Sequence, residues 1–435
     1  MGRGMQPAGG EVGATVLVVG AGGFLGGYIA AALRAAGWTV LRGVRAAGTS
    51  ADARHCDLAT MLAPEDWLPV LDGVDAVVNV AGILRETGSQ RFDPIHHDAP
   101  LALARACVAA GVRRFVQVSA LGDPADGPFL ASKHRFDDAL LQLPLDAVVL
   151  RPSVVYAPSG SYGGTSLLRA LAALPVATLL PGDGRWPLQP VAAEDLARLV
   201  ARAVDAPVRG IHEVGGPRPM SLREYQLTWR QWLRTPGVRA WPTPESWVSR
   251  LVACWERLGS GPVGQTMWRM LRRGNVTAAD AHVGLQRDFG FAPRALHEVL
   301  GAHPSQVQDR WHAQLYFLAP ALRLAVVLLW LLSAWVGLAT PAAEIVAMAA
   351  GTALENVAIP LARGCAVLDL VLALWLLSGR GLRMAVAVMM GCVVAYTCVL
   401  GVLWPGTWMD PLGGMAKNLV VLPALAVLWV LSDRR

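Results

Sequence analysis

From Ala321 to its end the chain almost stops using charged side chains. Four apolar segments close it, at about 321–339, 361–378, 382–403 and 415–432. A hydrocarbon core of about 30 Å takes about 20 residues of helix to cross, which is the length of each segment. Four such runs in succession, with the Trp-rich connector LWPGTWMDP between the last two, are more apolar surface than a water-soluble core encloses. The tail is therefore expected to be an all-α bundle of four transmembrane helices, with the lipid bilayer as its partner. Positive charge in short connections sets orientation. Arg310 and Arg323 flank the first run, Arg380 and Arg383 lie between the second and third, and Arg434 and Arg435 end the chain. That side is expected to be cytoplasmic. The opposite side carries Glu344, Glu355 and Asp410, and Trp404 and Trp408 suit an interfacial belt.

The first three hundred residues read differently. Short β-branched runs at 14–20, 38–44, 74–80, 114–120 and 145–151 alternate with Ala- and Leu-rich helical stretches that end on glycine. Strands apolar on both faces and separated by helices predict an α/β fold, a doubly wound parallel sheet. The expected organisation is a nucleotide-binding region over 1–220, a helical region over 221–312 and the membrane bundle over 313–435. The middle region is rich in Trp and Arg and reads either as a substrate lid or as a surface lying on the bilayer. A net charge of +6, with arginines scattered rather than clustered, excludes nucleic acid as the expected partner. Six cysteines without CxxC or metal-ligand spacing read as reduced thiols of a cytosol-facing protein, and no metal site is expected. The first apolar run, ATVLVV, is too short for a signal peptide. A multi-pass protein of a bacterial-type inner membrane is expected, its α/β part and both termini in the cytoplasm.

Directly after the first strand stands Gly20-Ala21-Gly22-Gly23-Phe24-Leu25-Gly26, followed by a helix. Glycines three apart at that junction allow a tight turn, close backbone approach to a pyrophosphate and intimate helix–strand contact. The helix N-terminus adds free N–H groups and the positive end of its dipole. All seven residues are expected to hold a dinucleotide. At the end of the second strand an NAD-selective site would place an acidic residue for the ribose hydroxyls. Arg42 and Arg45 stand there instead and favour the 2′-phosphate of NADP(H) over NAD(H). Asp57 and Leu58 are placed beside the adenine, and Ala81 and Gly82 beside the nicotinamide half of the groove.

Together GAGGFLG, CDL, VDAVVNVAGIL, RRFVQVSALG, the Ser132-Lys133 pair, LRPSVVYAP and GDGRWPLQPVAAEDLA resemble the atypical short-chain dehydrogenase/reductases. The likeness is to the family of the ninth alpha-subcomplex accessory subunit of respiratory complex I, over roughly residues 14–220. The tail resembles a DoxX-like four-helix membrane domain, including Lys417-Asn418 at the entry to its last helix. The resemblance implies a Rossmann fold, and Lys133 and Pro152 as further cofactor contacts. It also implies a catalytic Ser, Tyr and Lys, and by position Ser119 and Lys133 match the first and last. Phe129 stands where the Tyr belongs, and a phenyl ring has no proton to transfer. Tyr156 is the candidate substitute hydroxyl. His96 and His97 are expected to pack or cap. Two functions stay open: a reductase of a lipophilic carbonyl or quinone-like substrate, and a weakly catalytic cofactor-binding protein serving assembly, stability or redox sensing.

Overall fold

Seven short strands run parallel through the first half of the chain: β1 (Thr15–Val19), β2 (Thr39–Val44), β3 (Ala53–His55), β4 (Ala76–Asn79), β5 (Arg114–Val118), β6 (Asp146–Pro152) and β7 (Gly210–Val214). They lie side by side as β7-β6-β5-β4-β1-β2-β3. The structure, a computed structural model, describes residues 13–46, 50–237, 239–257, 263–409 and 415–433. Arg434, Arg435 and Asp410, to which the topology reading assigned sides, lie outside the described residues.

The period of two along each strand divides the core between the two faces of the sheet. Leu17, Val19, Val77, Phe115 and Val149 face one way, into a cluster closed by α2 (Ala99–Ala110) and α3 (Pro128–Leu141). Val16, Val18, Val78, Val116 and Val148 face the other way, under α1 (Phe24–Ala35) and α4 (Ala193–Asp205). Burying both faces requires helices on both, which is why these strands read as unbroken apolar runs. Each fully buried Leu, Val or Phe contributes about 1.5–3 kcal/mol.

Two strands of this sheet escaped the sequence reading, as did the short strands outside it. β3 is three residues long, and β7, GIHEV, carries His and Glu where it lies at the edge of the sheet. Residues 221–313 pack as part of the same unit, Met1–Ala313. Helix α5 (Leu222–Trp232) buries Tyr225 and Trp229 against Tyr156, Leu180, Trp186 and Leu188, with Trp268, Val299 and Leu300 closing the cluster.

The second unit, Gln314–Arg435, is helical. Among the described residues, three helices are long and apolar enough to cross a membrane: α6 (Val307–Ala339), the stretch Glu355–Ser378 that contains α7 (Ala358–Ser378), and α8 (Leu382–Leu403). The fourth expected span is shorter, since α9 covers Asn418–Leu431, 14 residues. At about 1.5 Å per residue it reaches about 21 Å. Its start is fixed deep along α8, where Asn418 Nδ2 donates to Thr397 Oγ1 at 2.8 Å. Helices α6 and α7 approach through small residues, because a Cβ on Gly337 would stand 2.8 Å from that of Ala366.

Candidate functional site

The strand order reverses between β1 and β4, so the chain leaves these neighbours in opposite directions and opens a crevice at their carboxyl ends. The glycine turn lies there. Gly20 takes φ +88°, and a Cβ on it would come within 2.8 Å of the Ala81 backbone. A Cβ on Gly26 would stand 2.2 Å from the Gly20 carbonyl oxygen. The first-turn amides of α1 have no partner within the helix, and Gly22 and Gly23 are exposed above them. The crevice fits the pyrophosphate of a dinucleotide: a glycine floor that side chains would fill, with free donors at a helix N-terminus.

Other expected contacts divide by position. Gly82 is exposed at the end of β4 and Ala81 partly so. Asp57 accepts from Ala59 N through Oδ1, and Cys56 N bonds to Val44 O at 3.0 Å, pinning that loop beside the end of β2. Leu58 and Pro152 are buried, Leu58 in the core cluster on one face of the sheet. Arg42 departs from expectation. Its guanidinium is bidentate on Asp52, at 2.8 and 3.0 Å, and staples β2 to the start of β3 below the crevice. That ion pair holds the Asp52 carboxyl far below the usual carboxylate range. Arg45, just past β2, is exposed, and among the described residues its side chain has no ion pair.

Lys133 reaches from α3 toward the loop after β4. It is buried on α3, Nζ donates to Val118 O at 3.3 Å, and the same atom is 3.4 Å from the place a Cβ on Gly82 would take. Burial lowers its pKa to about 8, partly opposed by Asp137. One turn earlier the Phe129 ring stacks edge-on against Phe92 and His96, with centroids 6.0 and 5.4 Å away.

The two candidate hydroxyls, of Ser119 and Tyr156, are both buried. Ser119 Oγ donates to Asp137 Oδ2 at 2.8 Å, and Arg151 Nε donates to the same oxygen at 2.9 Å. This buried triple joins β5, α3 and β6. Tyr156 is not a substitute acid: it is 1% exposed, packed edge-on to Trp229 at 5.9 Å, and its Oη has no partner among the described residues. Burial pushes its pKa far up.

His96 was expected to pack or cap, yet it connects Ile83, Ser132 and Phe129. A π-helical turn, Pro94–Asp98, places it. Its Nε2 accepts from Ile83 N at 3.0 Å, so Nδ1 carries the proton and donates to Ser132 Oγ at 3.0 Å. Ser132 Oγ in turn donates to Phe129 O at 3.1 Å. Burial first, and the charge of Lys133 second, push the His96 pKa far down, keeping the ring neutral. His97 bonds Asp98 at 2.7 Å on the surface. Over the mouth, Tyr162 stacks on Phe24 at 6.0 Å and Tyr28 Oη donates to Ser159 O, folding loop Ser159–Gly163 onto α1.

Crevice, glycine floor and buried lysine define a dinucleotide-binding α/β protein. Residues 16–215 match the NAD dependent epimerase/dehydratase family and residues 327–429 the DoxX-like family. An epimerase family protein of Mycobacterium bovis is 30% identical over 250 residues, 51% of this chain and 80% of that protein. The ceramide reductase of Caulobacter vibrioides is 28% identical over 225 residues, 50% of this chain and 68% of that one. NADH dehydrogenase [ubiquinone] 1 alpha subcomplex subunit 9 of Arabidopsis thaliana is 29% identical over 249 residues, 53% and 59% of the two chains. The chain belongs to the NAD dependent epimerase/dehydratase family and carries a DoxX-like part, which makes it a membrane-associated protein.

Two substitutions separate fold from ligand at the glycine turn. A Cβ on Gly23 meets only the Gly20 carbonyl oxygen, at 3.2 Å. Gly23→Ala is expected to keep the melting temperature while weakening nucleotide binding about tenfold or more, because the methyl group holds the pyrophosphate off the backbone. Gly26→Ala is expected to lower both. Nucleotide fluorescence and thermal melts check this, and unchanged binding in Gly23→Ala would remove the turn from the site. Asp137→Ala strands the guanidinium of Arg151, whose side chain is 16% exposed, and is expected to cost about 3–5 kcal/mol. At about 2–4 °C per kcal/mol for a unit of this size, the melting temperature falls by about 6–20 °C. Asp137→Ala with Arg151→Met should recover part of that loss.

Proposed function

We propose that the protein is a membrane-anchored oxidoreductase that prefers NADP(H) and reduces a lipophilic carbonyl or quinone-like substrate, with Lys133 as its proton donor. The placement of Lys133 carries this reading: a buried ammonium beside Gly82 at the carboxyl edge of the sheet, with a phenyl ring where a hydroxyl would stand. When bound, the reduced nicotinamide supplies a hydride to the carbonyl carbon. The chain supplies the proton. Lys133 Nζ gives it to the carbonyl oxygen, the C=O becomes an alcohol, and the neutral lysine is recharged from water. A general acid works best with a pKa near the operating pH, and burial has brought this one to about 8. Similarity to a protein named ceramide reductase supports a lipid as substrate, and the DoxX-like part supports a home in the bilayer.

Arg45 supports the NADP(H) preference, since an exposed guanidinium past β2 is free for a 2′-phosphate. Arg323 donates to the carbonyls of Leu376 and Leu377, and Arg383 pairs with Asp433 at 3.4 Å, so arginines gather at one end of the bundle. That end is assigned to the cytoplasm of a bacterial-type inner membrane.

The acid is the charged form of Lys133, so carbonyl reduction should fall as pH rises through about 8. Lys133→Met should lose that limb together with most of the rate, and a wild-type profile flat across the limb would exclude lysine as the donor. Phe129→Tyr restores a hydroxyl one turn from Lys133 and should raise the rate by at most about 10²–10⁴. A second reading, a nucleotide-binding protein with little chemistry, is favoured by the Phe92–His96–Phe129 stack, and it predicts no turnover in either form. Arg45→Glu should weaken NADPH about tenfold or more relative to NADH, by replacing a phosphate partner with a like charge, while Arg42→Ala leaves the ratio unchanged. Titration with both nucleotides measures it.

A further inference from the structure

The second unit holds a cluster of polar side chains that the oxidoreductase reading does not use. Asp369 on α7 is 6% exposed in an otherwise apolar bundle. Ser333 Oγ on α6 donates to its Oδ2 at 2.6 Å, while Oδ1 is buried with no partner among the described residues. Tyr396 Oη on α8 is likewise buried, and among the described residues it has no partner stronger than a thiol. It lies beside the thiol of Cys365 and within electrostatic reach of Asp369 and Cys392. Cys365 and Asp369 are four apart on α7, and Cys392 and Tyr396 four apart on α8, so each helix turns two polar groups to one side. Ser333 lies ten residues beyond Arg323, Asp369 ten before Gly379 and Cys392 ten beyond Leu382. At about 1.5 Å per residue all three stand about 15 Å from the arginine end, half-way through a core of about 30 Å.

A carboxyl that merely glued helices together would be satisfied by its neighbours. Here two hydrogen-bonding atoms from adjacent helices are left over within the span, in surroundings where an unsatisfied polar group is costly. Ser333 is itself exposed, with Leu332, Trp335 and Val336 exposed beside it, so the cluster opens toward the lipid-facing surface of α6. A molecule arriving through hydrocarbon is uncharged.

We propose that this cluster is a binding site for an uncharged, lipid-soluble molecule whose head group carries carbonyl or hydroxyl oxygens, with Asp369 and Tyr396 as its hydrogen-bond partners. The proposal rests on the reading that these helices cross a bilayer. Quinones and hydroxylated lipids share the required head-group chemistry, and a decyl-substituted benzoquinone and decanol serve as probes for the two sources.

The test uses the full chain in lipid nanodiscs and reads the probe concentration at which the melting temperature rises. Saturable stabilisation of the wild type is expected with at least one probe, and the probe that saturates names the source. Asp369→Leu should shift the midpoint tenfold or more, Tyr396→Phe should weaken it measurably, and Asp369→Asn should keep it. Tyr396→Phe removes only a hydroxyl, so it decides the matter if Asp369→Leu does not fold, with the thermal melt of the bundle in the nanodisc without probe reporting folding. No saturable effect with either probe, or the same midpoint in wild type and a folded Tyr396→Phe, overturns the site. Failure of the bilayer reading looks different. A membrane-impermeant maleimide would then label Cys398, exposed on α8, as readily as the exposed Cys254 of the first unit.

Discussion

The approach of Gly20 to Ala81 fixes everything built around the crevice. Two loops leave adjacent parallel strands in opposite directions and meet where no side chain fits. One starts the helix that presents its amides to a pyrophosphate, and the other carries Gly82 past Lys133. A larger residue at position 20 would part β1 from β4 at their carboxyl ends and move the glycine turn off the lysine. Gly26 repeats the constraint one turn into α1, against the Gly20 carbonyl. The cofactor floor is thus a packing requirement of the sheet before it is a ligand site.

A second constraint holds α3, and through it Lys133. Asp137 is fully buried one turn beyond the lysine, tied to Ser119 on one strand and Arg151 on the next. On the other flank, Ile83 N, His96 and Ser132 form a relay of hydrogen bonds ending on the Phe129 carbonyl. The lysine is pinned between these two networks, and this rigidity keeps an ammonium in a site dry enough to lower its pKa. Position and proton affinity therefore come from the same burial.

Much of this was legible in the sequence. The five central strands stand within two residues of their expected bounds, because runs such as TVLVV and AVVN are buried on both faces, and TVLVV stops at glycine. The glycine turn was legible for the same reason. Edge strands were not: three residues at β3 are too few to show a period, and β7 alternates like a surface strand. Ser119 shows the limit at the site. Position along β5 says that it lies at the sheet edge, but which way its hydroxyl turns depends on Asp137, eighteen residues away. Asp137 did leave a signal, a charged residue in the apolar stripe of α3 beside Leu130, Phe136 and Leu140. His96 left less, since the π-helical turn that aims it has no composition of its own.

Tyr156 shows why a motif position is not a role. Its strand pairs with Val191–Ala192, which places the ring among Trp229, Tyr225 and Leu188 in a core that leaves it 1% exposed. Moving that hydroxyl to a substrate would empty the space it fills against Trp229, and a cavity of that size costs about 3–5 kcal/mol when an aromatic ring leaves a core. Lys133 faces no such cost, because its ammonium already lies beside Gly82, where the main chain is open. The phenyl ring at position 129 has no proton to give, and of the groups packed around it Lys133 keeps a pKa of about 8, while His96 is held neutral by its surroundings and Asp137 is paired with Arg151.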